Sequence, residues 1–194
     1  MARLEPVPDR ETTLGTKIAY YFTKRRFKRL TGRAPAAMLE PLRMYAYIPK
    51  LLAGYGRLEQ AVARLELLDY RHRALAELKA ATTTRCEYCI DMGSQIARGW
   101  GLTDEELLAL PVFRTAECFS EVDKLVLEYA TAMSRTPAEV TDELFAALRR
   151  HFDPAQLVEL THVIALENLR ARFNLALGIG AAGFSEGTVC ARPD

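Results

Sequence analysis

The amino-acid sequence predicts an all-α protein, a bundle of about eight helices, and three observations carry that expectation. The chain holds 27 Leu and 28 Ala against 9 Val and 6 Ile, a balance that favours helix over sheet. No stretch alternates apolar and polar residues between hairpin turns. Apolar residues recur instead at three and four positions, and helix-start residues precede several of these runs. With 194 residues, 49% of them hydrophobic, the chain is long enough to bury a substantial core.

The elements follow in order. Residues 1–12, with Pro6 and Pro8, read as an extended arm. A basic helix then starts at a cap on Thr13 or Thr16, with Ile18, Tyr21, Phe22 and Arg25/Arg26 at helical spacing. A short helix is expected from Pro35 to Tyr47, with proline in its first turn. Pro49 opens the next, in which Leu51, Leu52, Tyr55, Leu58, Val62, Leu65 and Leu68 recur at three and four residues. Residues 70–82 form another helix, and the threonines at 82–84 weaken propensity enough to predict a break before Cys86. A helix then runs from near Cys86 to Gly99 and Gly101. Thr103 with Glu106, and Ser120 with Asp123, have capping-box spacing. Thr141 caps a short helix, and Asp153-Pro154 starts a long one that reaches Leu177 and stops at Gly178 and Gly180.

Charge and composition narrow the function classes. Twenty-six basic and 25 acidic residues give a net charge of +1, so there is no whole-protein field for nucleic acid. Residues 1–33 carry nine basic and three acidic side chains. That cluster reads as a solvated face, or as a complement to an acidic face of the same protein or of a neighbouring subunit. The longest apolar runs fall short of a membrane span. The first residues lack an apolar signal core, so the expected compartment is the cytoplasm.

Four cysteines do not make a disulfide scaffold in a chain of this length. Cys118 and Cys190 stand alone, whereas Cys86 and Cys89 form a C-x-x-C pair one helical turn apart. A cysteine at a helix N-terminus is stabilised as thiolate by exposed N–H groups and the positive helix end. By that argument Cys86 is the more reactive sulfur. One thiolate could attack a peroxide or a disulfide, and the second thiol could resolve the product. A zinc site and a pair of inert buried cysteines are the competing readings. Zinc lacks a second ligand pair at suitable spacing among Cys118, Cys190, His72, His151 and His162.

The run LAELKAATTTRCEYCIDMGSQIA, continued by GLTDEELLALP, FSEVDKLVLEYATAMSRTPAEVTDELFAALRRHFDPAQLVELT and ALENLRARFNLALGIGAAGF, resembles the alkylhydroperoxidase D-like (carboxymuconolactone decarboxylase) family. The resemblance covers roughly residues 35–185. It implies an AhpD-like helical bundle, with residues 1–34 as an N-terminal arm and basic helix and 186–194 as a tail. It also implies a homo-oligomer without cofactor or metal. In the redox branch of the family a glutamate and a histidine relay protons to the pair, and the second cysteine, here Cys89, meets the peroxide while Cys86 resolves.

Both relay positions differ in this chain: Ala74 stands where the glutamate is usual and Gly93 where the histidine is usual. Glu77 and Glu167, with His162 and His72 behind them, are the candidate substitutes, an internal salt-bridge network being the alternative use of these groups. The sequence therefore points to a thiol–disulfide oxidoreductase that reduces a small hydroperoxide or disulfide through Cys86 and Cys89, with an unspecified thiol reductant. A non-enzymatic member acting in packing or partner binding, and a decarboxylase of a small lactone, are the alternatives.

Overall fold

The computed structural model describes residues 2–194. Among them the secondary structure is entirely helical. It consists of α1 (Leu14–Thr31), α2 (Glu40–Tyr45), α3 (Pro49–Val62), α4 (Tyr70–Thr84), α5 (Glu87–Gly99), α6 (Asp104–Ala109), α7 (Glu121–Ser134), α8 (Asp142–Leu148) and α9 (Pro154–Leu177), with three short 3-10 turns.

The caps explain most boundaries. Thr103 and Ser120 each accept from the backbone N–H three residues on, while Glu106 and Asp123 reach back to the cap. Asp153 does the same with Gln156, and Pro154 occupies the first turn of α9. Thr13, rather than Thr16, caps α1. At the far end of α9, Gly178 takes the left-handed conformation (φ 67°) that closes the last turn.

Two expectations need correction, and a third needs only a shifted boundary. The segment from Pro35 to Tyr47 is a 3-10 turn, Ala36–Leu39, followed by the short α2. The third helix ends at Val62 instead of continuing to Leu68. The carbonyls of Val62, at its last turn, and of Leu65, in the loop beyond, accept from the Arg73 guanidinium of the next helix (3.2 and 3.4 Å), and the Val62 carbonyl also accepts from the Leu65 N–H. The break expected before Cys86 is present, at Arg85, but α4 runs through the threonines to Thr84, where Thr82 and Thr84 return hydrogen bonds to the carbonyls of Lys79 and Ala80.

Helix α4 sits at the centre and packs against α5, α7 and α9. Leu75, Ala76, Leu78, Ala80 and Ala81 are all buried, which accounts for a helix with apolar residues on every side. Leu160, Val163, Ile164 and Ala171 of α9 and Val126, Leu127 and Ala130 of α7 complete the core. A stack of aromatic rings, Tyr55–Tyr45–Phe173, joins α3, α2 and α9 at centroid spacings of 4.6 and 4.1 Å.

Both termini fold onto this body. Val7 and Tyr20 lie in the core, and Arg3 donates from its backbone and side chain to the carbonyls of Leu177 and Ala176 (2.7 and 2.8 Å). Ile18, Tyr21 and Phe22 of α1 face outward, whereas Arg26 is partly buried near Glu59 and Glu77. The C-terminal segment lies along α5 and ends at α4, where the buried Lys79 ammonium binds the Asp194 carboxylate at 2.7 and 2.9 Å. No helix among the described residues is long and apolar enough to cross a membrane.

Candidate active site

The cysteine pair occupies the reversal between α4 and α5. Helix α4 ends because Arg85 adopts a left-handed conformation (φ 59°, ψ 35°). The N–H groups of Arg85 and Cys86 then bond back to the carbonyls of Thr82 and Ala81, each at 3.1 Å. Few side chains accept this backbone, at a cost of roughly 1–2 kcal/mol. The return places Cys86 in extended geometry as the N-cap of α5. Its sulfur accepts from the backbone N–H of Cys89 at 3.3 Å.

Cys86 and Cys89 form a disulfide, with Cα atoms 5.2 Å apart. Cys86 is wholly buried and Cys89 is 4% exposed. Asn174, in the last turns of α9, reaches both sulfurs. Its amide nitrogen lies 3.7 Å from Cys86 Sγ and 3.6 Å from Cys89 Sγ. Asn174 is itself buried. Asn174 is not among the site residues expected from the sequence. The usable signal was its spacing, since Glu167, Arg170 and Asn174 fall on one stripe of α9.

The proposed relay substitutes lie elsewhere in the hydrogen-bond pattern. Glu77 pairs with Arg73 at 3.3 Å. Glu167 accepts from Arg170 at 2.9 Å, and the other edge of that guanidinium holds Glu59 at 2.8 and 2.9 Å. His162 lies partly buried on α9, and His72, on α4, pairs with Asp69 at 2.5 Å. Asn174, rather than any of these groups, is in hydrogen-bond contact with the sulfurs.

Electrostatics differ sharply within this cluster. Burial pushes the Glu167 carboxyl up to about 7, against the pull of Arg170 and with Glu77 adding negative charge. Burial also raises Glu59, but Arg170 and the Tyr55 hydroxyl outweigh it and leave Glu59 below its ordinary value. One guanidinium thus holds Glu59 ionised, while the more enclosed Glu167 keeps its proton to a higher pH.

The usual histidine position is sterically tight. A Cβ added at Gly93 would lie 3.2 Å from Leu78 Cδ1, because α5 packs closely against α4 there. Asp91, next to Ile90, has a structural task. Its carboxylate accepts from the backbone N–H groups of Ala182, Gly183, Phe184 and Ser185 at 2.6 to 3.0 Å. Among the described residues no group of three or more His, Cys, Asp or Glu could hold a metal ion.

Comparison with known proteins places this arrangement. The sequence profile of the carboxymuconolactone decarboxylase family matches residues 49–132. The Escherichia coli protein YnjA, itself uncharacterised, is 39% identical over 151 residues, 75% of this chain and 81% of its own. The chain belongs to the carboxymuconolactone decarboxylase family. Solved structures agree in fold. The debrominase Bmp8 superposes with a TM-score of 0.76 at 19% identity, covering 92% of this chain and 91% of its own. A peroxidase-related protein with an alkylhydroperoxidase AhpD core, from Ralstonia eutropha JMP134, superposes with a TM-score of 0.73 at 17% identity, covering 93% and 92%. For this member of the carboxymuconolactone decarboxylase family, the fold expected from the sequence is therefore the fold observed.

Proposed function

We propose that this protein is a thiol–disulfide oxidoreductase, reducing a hydroperoxide or a disulfide through Cys86 and Cys89. The observation that carries the reading is the bonded cysteine pair at the start of α5. In the reduced protein, the Cys89 thiolate attacks one peroxide oxygen. The O–O bond breaks, the alcohol leaves after taking a proton, and Cys89 becomes a sulfenic acid. The Cys86 thiolate then attacks that sulfur, the S–O bond breaks and water leaves. The product is the Cys86–Cys89 disulfide, and two external thiols return it to the dithiol. The residual exposure of Cys89, set against none at Cys86, supports Cys89 as the sulfur that meets the reactant.

The test is a thiol count on the reduced protein before and after mild organic hydroperoxide, followed by turnover with a generic dithiol donor. Wild type should lose two thiols as one internal disulfide and recover them with the donor. Cys86→Ser and Cys89→Ser should abolish turnover. Unchanged thiol counts in wild type would refute the redox reading and leave a structural cysteine pair.

A further inference from the structure

We propose that Asn174 sets the acidity and the reduction potential of the cysteine pair, acting as the hydrogen-bond donor to whichever sulfur carries the negative charge. This inference rests on the redox reading above. The geometry is direct: one amide nitrogen, with two N–H groups, faces both sulfurs at nearly equal distance. A disulfide sulfur is a weak acceptor, whereas a thiolate is a charged one, so the same contact strengthens on reduction. Stabilising the thiolate stabilises the dithiol side of the equilibrium.

The surroundings hold this donor in place. The Asn174 carbonyl accepts from Ile179 N–H at 2.9 Å, within the turn that closes α9 at Gly178. Arg3 binds the next carbonyls, those of Ala176 and Leu177. Buried as it is, the amide cannot turn to water without leaving its place. The amide does not titrate in the working pH range, so it remains a donor throughout, and the pH dependence of its effect comes from the thiols alone.

The step it serves is reduction of the pair. An external thiolate attacks Cys89 Sγ, and the Cys86–Cys89 bond breaks. The electron pair leaves on Cys86, which then accepts from Asn174 and from the Cys89 backbone N–H. A second external thiolate attacks the external sulfur of the mixed disulfide, and Cys89 departs as thiolate beside the same amide. The external thiols leave as their disulfide, so two electrons have passed to the protein.

The experiment compares wild type with Asn174→Leu, of similar volume but without a donor, and Asn174→Asp, which faces the sulfurs with a carboxyl group. Thiolate ultraviolet absorbance against pH gives the apparent thiol pKa values. Equilibration with glutathione redox buffers, above both thiol pKa values, gives the dithiol/disulfide ratio. For Asn174→Leu the lower apparent pKa should rise by about one unit, and the ratio should move about tenfold toward disulfide, a change of about 30 mV. Asn174→Asp should move both quantities in the same direction and further. Circular dichroism establishes that each variant is folded, and Asn174→Ser, which shortens the donor out of reach, replaces a Leu variant that does not fold. Values within threefold of wild type in a folded variant, or a shift toward dithiol, would overturn the role of Asn174. A wild-type pair that does not exchange with dithiothreitol would instead overturn the redox reading, and this proposal with it.

Discussion

Glu167→Gln should remove a pH dependence of stability. The Glu167 side chain is 8% exposed and shares Arg170 with Glu59, whose side chain is 26% exposed. Burial raises Glu167 from its ordinary 4.5 to about 7. Between those values the unfolded chain has released a proton that the folded chain still holds. Wild-type stability therefore falls as pH rises through this window. The contribution is complete below the ordinary value and lost above the folded one. A shift of roughly 2.5 units, at 1.36 kcal/mol each, amounts to about 3 kcal/mol. Glutamine stays neutral throughout and can still accept from Arg170. Urea unfolding of both proteins at pH 4.5, 6 and 8 isolates the group, because other titrations cancel in the difference. Wild-type stability minus that of Glu167→Gln should decrease by about 3 kcal/mol across the series. A flat or rising difference would refute the assignment of the retained proton to Glu167.

Two further outcomes follow from packing and hydrogen bonding. Asp91→Ala strips the carboxylate from four backbone N–H groups and should cost roughly 3 kcal/mol, with faster amide exchange confined first to residues 182–185; a loss below about 0.5 kcal/mol would contradict the anchoring role. Gly93→His, which restores the side chain usual in the redox branch, should destabilise by about 1–3 kcal/mol through its clash with Leu78 and give no gain in hydroperoxide turnover. A stable Gly93→His protein with raised turnover would show that α4 and α5 can accommodate a relay.

The helix ends that were legible in the sequence are those determined locally. Thr103 and Glu106, Ser120 and Asp123, and Asp153 with Pro154 carry their partners within three residues, so spacing alone identifies them. The end of α3 was not legible, because the carbonyls of Val62 and of Leu65 just beyond it are met by Arg73 from another helix. The leucine periodicity beyond Val62 reflects core contact from irregular backbone, with Leu68 buried and Leu65 packed against the core. The α4–α5 reversal lay one residue beyond the threonines, at Arg85, a residue type without left-handed preference. At the site, C-x-x-C spacing identified the sulfurs. Their polar neighbour comes from 85 residues further along the chain, and only the packing of α9 against α5 brings the two together.

The ionic cluster on α9 also bears on the precision of the cysteine environment. Buried charges contribute little net stability compared with apolar replacements, but they penalise misalignment heavily. A slip of α9 by one turn, about 5.4 Å, would strand Arg170 away from Glu59 on α3 and in the same movement withdraw Asn174 from the disulfide. The guanidinium thus works as a register pin for a contact made one turn further along the same rod. Substitutions at Glu59 or Arg170 would accordingly be felt at the sulfurs as a loss of alignment, without any change in the residues that touch them.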